Sequence, residues 1–206
     1  KKFLFASSGS VYGLKKEKKV TEELELVPIS TYNKTKMISE RVILSYSKLI
    51  NNYIIRPATV CGYSPRMRLD ISVNALTFQA LKKNKIEIHG GNQIRPNIHI
   101  NDMCRVYEHF LFKSIKPGIY NAGFENVSIK KIAEKIKKKV NCKLNYKKII
   151  DIRSYRQNSD KLLSTGFVQK FTIEDGINDI IKKYSSGILK EKKQWYSVNW
   201  LKNRIF

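Results

Sequence analysis

Nowhere does the chain stay apolar for the roughly 20 residues that a membrane-spanning helix requires. Its opening, Lys1-Lys2-Phe3-Leu4-Phe5-Ala6, has no initiator methionine and turns polar at Ser7-Ser8-Gly9, too soon for the core of a signal peptide. The expectation is a soluble cytoplasmic protein with no membrane partner. Cys61, Cys104 and Cys142 are odd in number and far apart, with no Cys-x-x-Cys, which argues against a disulfide framework or a zinc site. They read instead as small buried hydrophobes. His89, His99 and His109 lack His-Glu-x-x-His or any other ligand spacing, so no metal is expected. Acidic residues are few, 17 against 40 Lys and Arg, and the resulting net charge of +23 invites a nucleic-acid reading. Against it, the lysines are scattered through every segment and no helix-turn-helix, zinc-finger or aromatic-basic ribonucleoprotein pattern accompanies them. Nucleic acid is not the expected partner.

What is present suits an α/β protein. At 206 residues and 42% hydrophobic, the chain can bury one core, or one core and a small lobe. Lys2 to Ala6 forms a short apolar run suited to a buried parallel strand, and Tyr53-Ile54-Ile55-Arg56 forms a second. The first ends at Ser7-Ser8-Gly9-Ser10-Val11-Tyr12-Gly13, small residues at the carboxyl end of a strand, where open α/β sheets place their chemistry. Ser8 suits a hydrogen bond to a substrate oxygen, though a serine-rich turn without a ligand reads the same way.

Between those strands lies Ser30-Thr31-Tyr32-Asn33-Lys34-Thr35-Lys36, which opens an amphipathic helix expected to run to Ile50. Ser30 and Thr31 can cap it, and Met37, Ile38, Val42, Ile43, Tyr46, Leu49 and Ile50 recur at helical spacing. Residues one turn apart share a face, so the Lys36 ammonium can approach the Tyr32 phenol. A nearby positive charge favours phenolate and lowers a tyrosine pKa from about 10, which would make Tyr32 a general base for an alcohol proton. A surface tyrosine beside a surface lysine satisfies the same spacing. Tyr12 and Lys16 repeat it beside the charged run Lys15 to Lys19, and that pair reads as a solvated loop. Strand, helix and strand form a right-handed parallel crossover, which would bring Ser8, Tyr32 and Lys36 into one pocket.

Together, Ser7-Ser8-x-x-Val11-Tyr12-Gly13, Tyr32-x-x-x-Lys36 and Arg56-Pro57-x-x-Val60-x-Gly62 resemble the extended short-chain dehydrogenase/reductase family of NAD-dependent nucleotide-sugar epimerases and dehydratases. The likeness continues through Gly90 to Asp102, Gly118 to Ile129, Asp151 to Arg156 and Thr172 to Ile177. It implies the C-terminal part of a Rossmann-type parallel sheet plus a small α/β substrate-binding lobe. Residues 1–62 would be a partial NAD-binding domain and 63–206 mainly the sugar-nucleotide lobe, with elements near 98–121 returning to the Rossmann sheet. The implied catalytic residues are Ser8, Tyr32 and Lys36. Ala6, Ser7, Tyr32, Lys36 and Pro57 would contact NAD, with NADP the alternative. Ser8, Thr59, Asn74, Arg95 and Arg153 would contact a nucleotide-diphosphate sugar, both arginines suiting its phosphates.

In the implied reaction, Tyr32 removes a proton from a sugar hydroxyl as hydride passes to NAD, giving a keto-sugar. Dehydratases of the family place a glutamate just before the Val-Tyr-Gly triplet; here Gly9-Ser10 precedes it, which favours an epimerase or a reductase. The family's Gly-x-x-Gly-x-x-Gly turn, whose N–H groups hold the dinucleotide pyrophosphate, does not occur in this sequence. The chain therefore reads as an epimerase part that needs a complementing N-terminal Rossmann half, as a homodimer through the Tyr32 helix if complete, or as a non-catalytic remnant. Without upstream strands, the first strand is expected to lose cover on one edge.

Overall fold

The computed structural model describes residues 1–148 and 154–205, with side chains described as far as Leu201. Along the chain run β1 (Lys2–Ala6), a 3-10 turn (Gly9–Tyr12), α1 (Thr31–Ser45), β2 (Asn51–Pro57), β3 (Thr59–Cys61), α2 (Ser72–Lys83), β4 (Lys85–His89), β5 (Ile94–His99) and α3 (Ile100–Phe112). They are followed by β6 (Gly118–Ala122), β7 (Glu125–Ser128), α4 (Ile129–Lys137), β8 (Lys143–Lys147), α5 (Asp160–Leu163), α6 (Ile173–Ser185), a 3-10 turn (Lys193–Trp195) and α7 (Ser197–Ile205). No helix among the described residues is long and apolar enough to cross a membrane.

The first sheet has the order β1-β2-β6 and is parallel throughout, with Ala6 opposite Ile55 and Pro57 opposite Ala122. The carboxyl ends of its strands thus lie side by side. Its core is aromatic: the Phe110 ring sits 5.5 Å from that of Tyr53 and 4.8 Å from that of Tyr120, in tilted arrangements that add to plain apolar burial. The Lys2 ammonium donates to the carbonyls of Phe110 (2.8 Å), Leu111 (3.1 Å) and Lys113 (2.6 Å), satisfying the open end of α3 where its dipole favours a cation.

A second sheet, β3-β5-β7, and the parallel pair β4-β8 form the other packing region. Ile129, Ile132, Ala133 and Ile136 recur at helical spacing, and α4 buries all four against Ile86, Ile88, Val73 and Ile177. Ser128 caps that helix through the Lys131 N–H, and Thr172 and Asp175 form a reciprocal capping box on α6. Gly176 is demanded by close packing, since a Cβ there would come within 3.1 Å of Cys61 Sγ and 3.2 Å of Gly62 N.

Four features differ from the sequence expectation. Helix α1 stops at Ser45 because the Asn52 side-chain amide takes the Ile43 carbonyl (2.6 Å) and Tyr46 N tightens onto the same oxygen. Its apolar residues Ile38, Val42 and Tyr46 are exposed, and its only buried residues are Asn33 and Glu40. Tyr12 is fully buried, while Lys16 beside it is solvated as expected. Cys104 is exposed on α3, whereas Cys61 and Cys142 are buried. β1 is an edge strand of the first sheet, and its Phe3 is 44% exposed.

Glu125 provides a pH test of the second region. Burial raises its pKa above the ordinary carboxylate value, against the Ile173 N–H that donates to it at 2.6 Å. A raised carboxyl pKa contributes stability that is complete below the unfolded value and lost as pH rises through the folded one. Glu125→Gln keeps an oxygen for Ile173 and removes the titration. The melting temperature of the variant relative to the parent is therefore expected to rise as pH increases from the ordinary carboxylate range upwards, measured by thermal circular dichroism.

Candidate active site

The serine-rich corner follows β1 directly. Ser8 caps the 3-10 turn through Ser10 N (3.2 Å), its hydroxyl lies 2.8 Å from that of Ser10, and Ser10 donates to Asn33 Oδ1 at 2.7 Å. Asn33 is the residue after Tyr32, so this chain of bonds ties the corner to the start of α1. Ser30 accepts from Asn33 N (3.2 Å) and fixes where the helix begins.

One turn further on, the Lys36 ammonium donates to the Ala6 carbonyl at 2.8 Å. It also lies 4.9 Å from the centre of the Phe5 ring and 5.8 Å from that of Tyr32, distances at which a cation is attracted to a ring face. Lys36 thereby joins the end of β1 to the face of α1 that carries Tyr32. The tyrosine is 56% exposed.

Beneath this corner is a buried polar network that the sequence reading missed. Arg56 in β2 donates to Glu40 of α1 through both Nε (3.0 Å) and Nη2 (2.6 Å), and each side chain is 2% exposed. Ser7 donates its hydroxyl to the same carboxylate. The other end of the guanidinium donates to the Tyr12 hydroxyl (2.7 Å), which donates in turn to Asn121 Oδ1 (2.8 Å) in β6. Gln157 closes the network on Asn121 Oδ1 (3.0 Å) and the Arg56 carbonyl (2.6 Å). Burial pushes the Tyr12 pKa up to about 12 despite the adjacent guanidinium, so this phenol stays protonated and acts as a structural donor. Two sequence signals pointed here: Arg56 is a charge inside an apolar strand run, and Glu40 sits one turn beyond Lys36.

The remaining candidates are spread over other elements. Ala6 and Pro57 end β1 and β2, and Thr59 begins β3. Asn74, on α2, accepts the Gly62 N–H at 3.0 Å and holds the turn after β3. Arg95, in β5, donates to the Ile94 carbonyl and stands near Tyr155, whose pKa burial pushes up to about 12 against the pull of that guanidinium. Arg153 lies outside the described residues. The structure thus gathers Ser8, Ser10, Asn33, Tyr32, Lys36 and Ala6 at one end of the first sheet, with Asn74 and Arg95 on elements of the other region.

A family model described as the NAD dependent epimerase/dehydratase family matches residues 1–123. The chain belongs to this family. Over 137 residues it is 32% identical to an uncharacterized UDP-glucose epimerase, YtcB, of Bacillus subtilis, covering 65% of this chain and 43% of that protein. A putative UDP-arabinose 4-epimerase of Arabidopsis thaliana is 28% identical over 172 residues, 71% of this chain and 41% of that protein. Among solved structures, a UDP-glucuronic acid 4-epimerase from Bacillus cereus in complex with UDP-glucuronic acid and NAD is 27% identical with a TM-score of 0.76, over 90% of this chain and 62% of that one. The chain spans less than half the length of those curated relatives and under two thirds of that structure.

The epimerase/dehydratase family is NAD-dependent, and part of this chain fits such a cofactor. Lys36 and the Tyr32 and Ser8 hydroxyls gather hydrogen-bonding groups beside the carboxyl ends of parallel strands, where a nucleotide's ribose and amide can be held. A pyrophosphate needs a cluster of backbone N–H groups at a glycine turn, and this sequence has no Gly-x-x-Gly-x-x-Gly to supply it.

Tyr12→Phe isolates the energetic role of the buried network. It keeps the ring but removes the hydroxyl that accepts from Arg56 and is one of two donors to Asn121 Oδ1, and it is expected to cost about 1–3 kcal/mol in a urea denaturation.

Proposed function

We propose that this chain supplies the catalytic side chains and the sugar-nucleotide-facing part of an NAD-dependent nucleotide-sugar epimerase. The observation that carries the reading is the Lys36 bond to the Ala6 carbonyl, which holds an ammonium between the end of a parallel strand and the Tyr32 ring. Tyr32 takes the proton from a sugar hydroxyl, and Lys36 stabilises the negative charge that develops on the phenolic oxygen. Bound NAD would supply the hydride chemistry, and Ala6, Ser7, Tyr32, Lys36 and Pro57 are the residues that would hold it. NADP is the alternative cofactor.

Ser8 orients the same sugar oxygen. With Ser10 donating to Asn33, Ser8 donates to Ser10 and keeps a lone pair for an incoming proton donor. Rotating the Asn33 amide reverses the chain of bonds and releases the Ser8 proton for the substrate. Arg95 and Arg153 suit the diphosphate, with Thr59 and Asn74 as further substrate contacts. The absence of a glutamate before Val11-Tyr12-Gly13 favours epimerisation or reduction over dehydration. Curated relatives named as sugar-nucleotide 4-epimerases support the same preference.

The position of β1 favours a complementary arrangement. An exposed parallel edge with a half-exposed Phe3 suits a further strand from a glycine-turn-bearing Rossmann half. The uncovered stripe Ile38, Val42 and Tyr46 suits a homodimer through α1. Residues 1–62 then act as the catalytic part of the dinucleotide-binding domain and 63–206 mainly as the substrate lobe. The test is co-expression with such an N-terminal half, incubation with NAD and a panel of nucleotide sugars, and chromatographic identification of the product. Conversion is expected, with Tyr32→Phe lowering kcat by about 10²–10⁴-fold. No conversion of any nucleotide sugar, or full activity in Tyr32→Phe, would overturn the reading.

A further inference from the structure

Helix α1 docks in an unusual way. A helix lying on a sheet normally buries an apolar stripe, yet here the two buried residues are Asn33 and Glu40, while Ile38, Val42 and Tyr46 face outward. Its connections to the sheet are polar and follow one helical ridge. Asn33 accepts from Ser10, Lys36 donates to the Ala6 carbonyl, Glu40 accepts from Ser7 and Arg56, and the Ile43 carbonyl accepts from Asn52. These positions advance by three, four and three residues, the spacing that keeps one face of a helix in line.

The two central contacts are matched in register. Lys36 and Glu40, one turn apart, meet Ala6 and Ser7, consecutive residues at the end of β1. Glu40 is also gripped by two guanidinium nitrogens from β2, a planar fork that accepts a carboxylate in a narrow range of orientations. A rotation of α1 by one residue would swing Glu40 through about 100° and strand both buried charges. An apolar stripe tolerates small slippage of that kind, because apolar contact is non-directional.

Resting on the proposed function, we infer that Glu40, gripped by Arg56 and Ser7, is a positioning residue that sets the rotation of α1 and so holds Lys36 on the Ala6 carbonyl beside Tyr32. The pair touches neither substrate nor cofactor. It acts through the helix, and its contribution is register rather than stability, since a buried ion pair can be replaced by apolar residues of similar size without loss of folding.

The test is Glu40→Leu combined with Arg56→Leu in the full 206-residue chain, which removes both charges together. Lysine acetylation by a water-soluble acylating reagent is followed by peptide mass spectrometry, with exposed Lys34 on the same helix as the internal reference. With a cooperative melt retained, Lys36 is expected to acetylate about fivefold faster relative to Lys34, the factor for one lost hydrogen bond. An unchanged ratio in a folded double variant would overturn the inference. If the double variant does not melt cooperatively, Glu40→Gln is read instead: it keeps the shape without the charge, and a faster Lys36 supports register control while an unchanged ratio refutes it.

In the protein reconstituted with an N-terminal half, the same variants are expected to lower kcat with KM unchanged, a split that general loss of folded protein would not produce. The acetylation measurement needs no turnover. A reconstituted protein inactive in every form would therefore count against the proposed function alone.

Discussion

A carboxylate and a guanidinium buried together between a helix and a strand are the constraint from which the site follows. Neither Glu40 nor Arg56 tolerates being left alone, because removing one partner strands a charge away from water at a cost of about 3–5 kcal/mol. Around the pair, Ser7 and Tyr12 bond the two charged groups directly, and Tyr12, Asn121 and Gln157 carry the network on from β2 to β6. The consequence is directional. Apolar burial would hold α1 near the sheet, but these bonds specify which face it presents.

That face carries the proposed site. Ser8 and Ser10 stand past the end of β1, Asn33 receives their hydrogen-bond chain, and Lys36 fastens to the last carbonyl of the same strand. One buried arrangement therefore serves both the corner and the helix. Proton handling needs a few side chains fixed relative to one another, and Ser8, Tyr32 and Lys36 are the ones proposed for it. Gripping a pyrophosphate needs a glycine turn at a helix start, and the sequence holds none.

Local signals made much of this legible. The apolar run through Tyr53 became β2, the stripe from Ile129 to Ile136 became the buried face of α4, and Ser30, Ser128 and Thr172 cap the helices they precede. Long-range effects were hidden. Tyr12 stands beside a charged run that reads as loop, and its burial depends on Arg56 and Asn121, 44 and 109 residues away. The periodicity of α1 was read correctly as helical, but periodicity does not say which stripe meets the sheet, and the polar one does. Cys104 departs from the expected buried hydrophobe, because spacing along the chain does not say which side of a helix a residue faces, and α3 turns that position to solvent.

The central claim is that Tyr32, aligned by Lys36 at the end of β1, takes a proton from a bound sugar. It is tested most directly by a rapid-mixing, single-turnover experiment on the protein reconstituted with a glycine-turn half, NAD and its best nucleotide sugar. The account predicts a transient near-ultraviolet absorbance of reduced nicotinamide that forms and decays, and that is lost in Tyr32→Phe while sugar-nucleotide binding is kept. A transient of the same size and rate in Tyr32→Phe would contradict it.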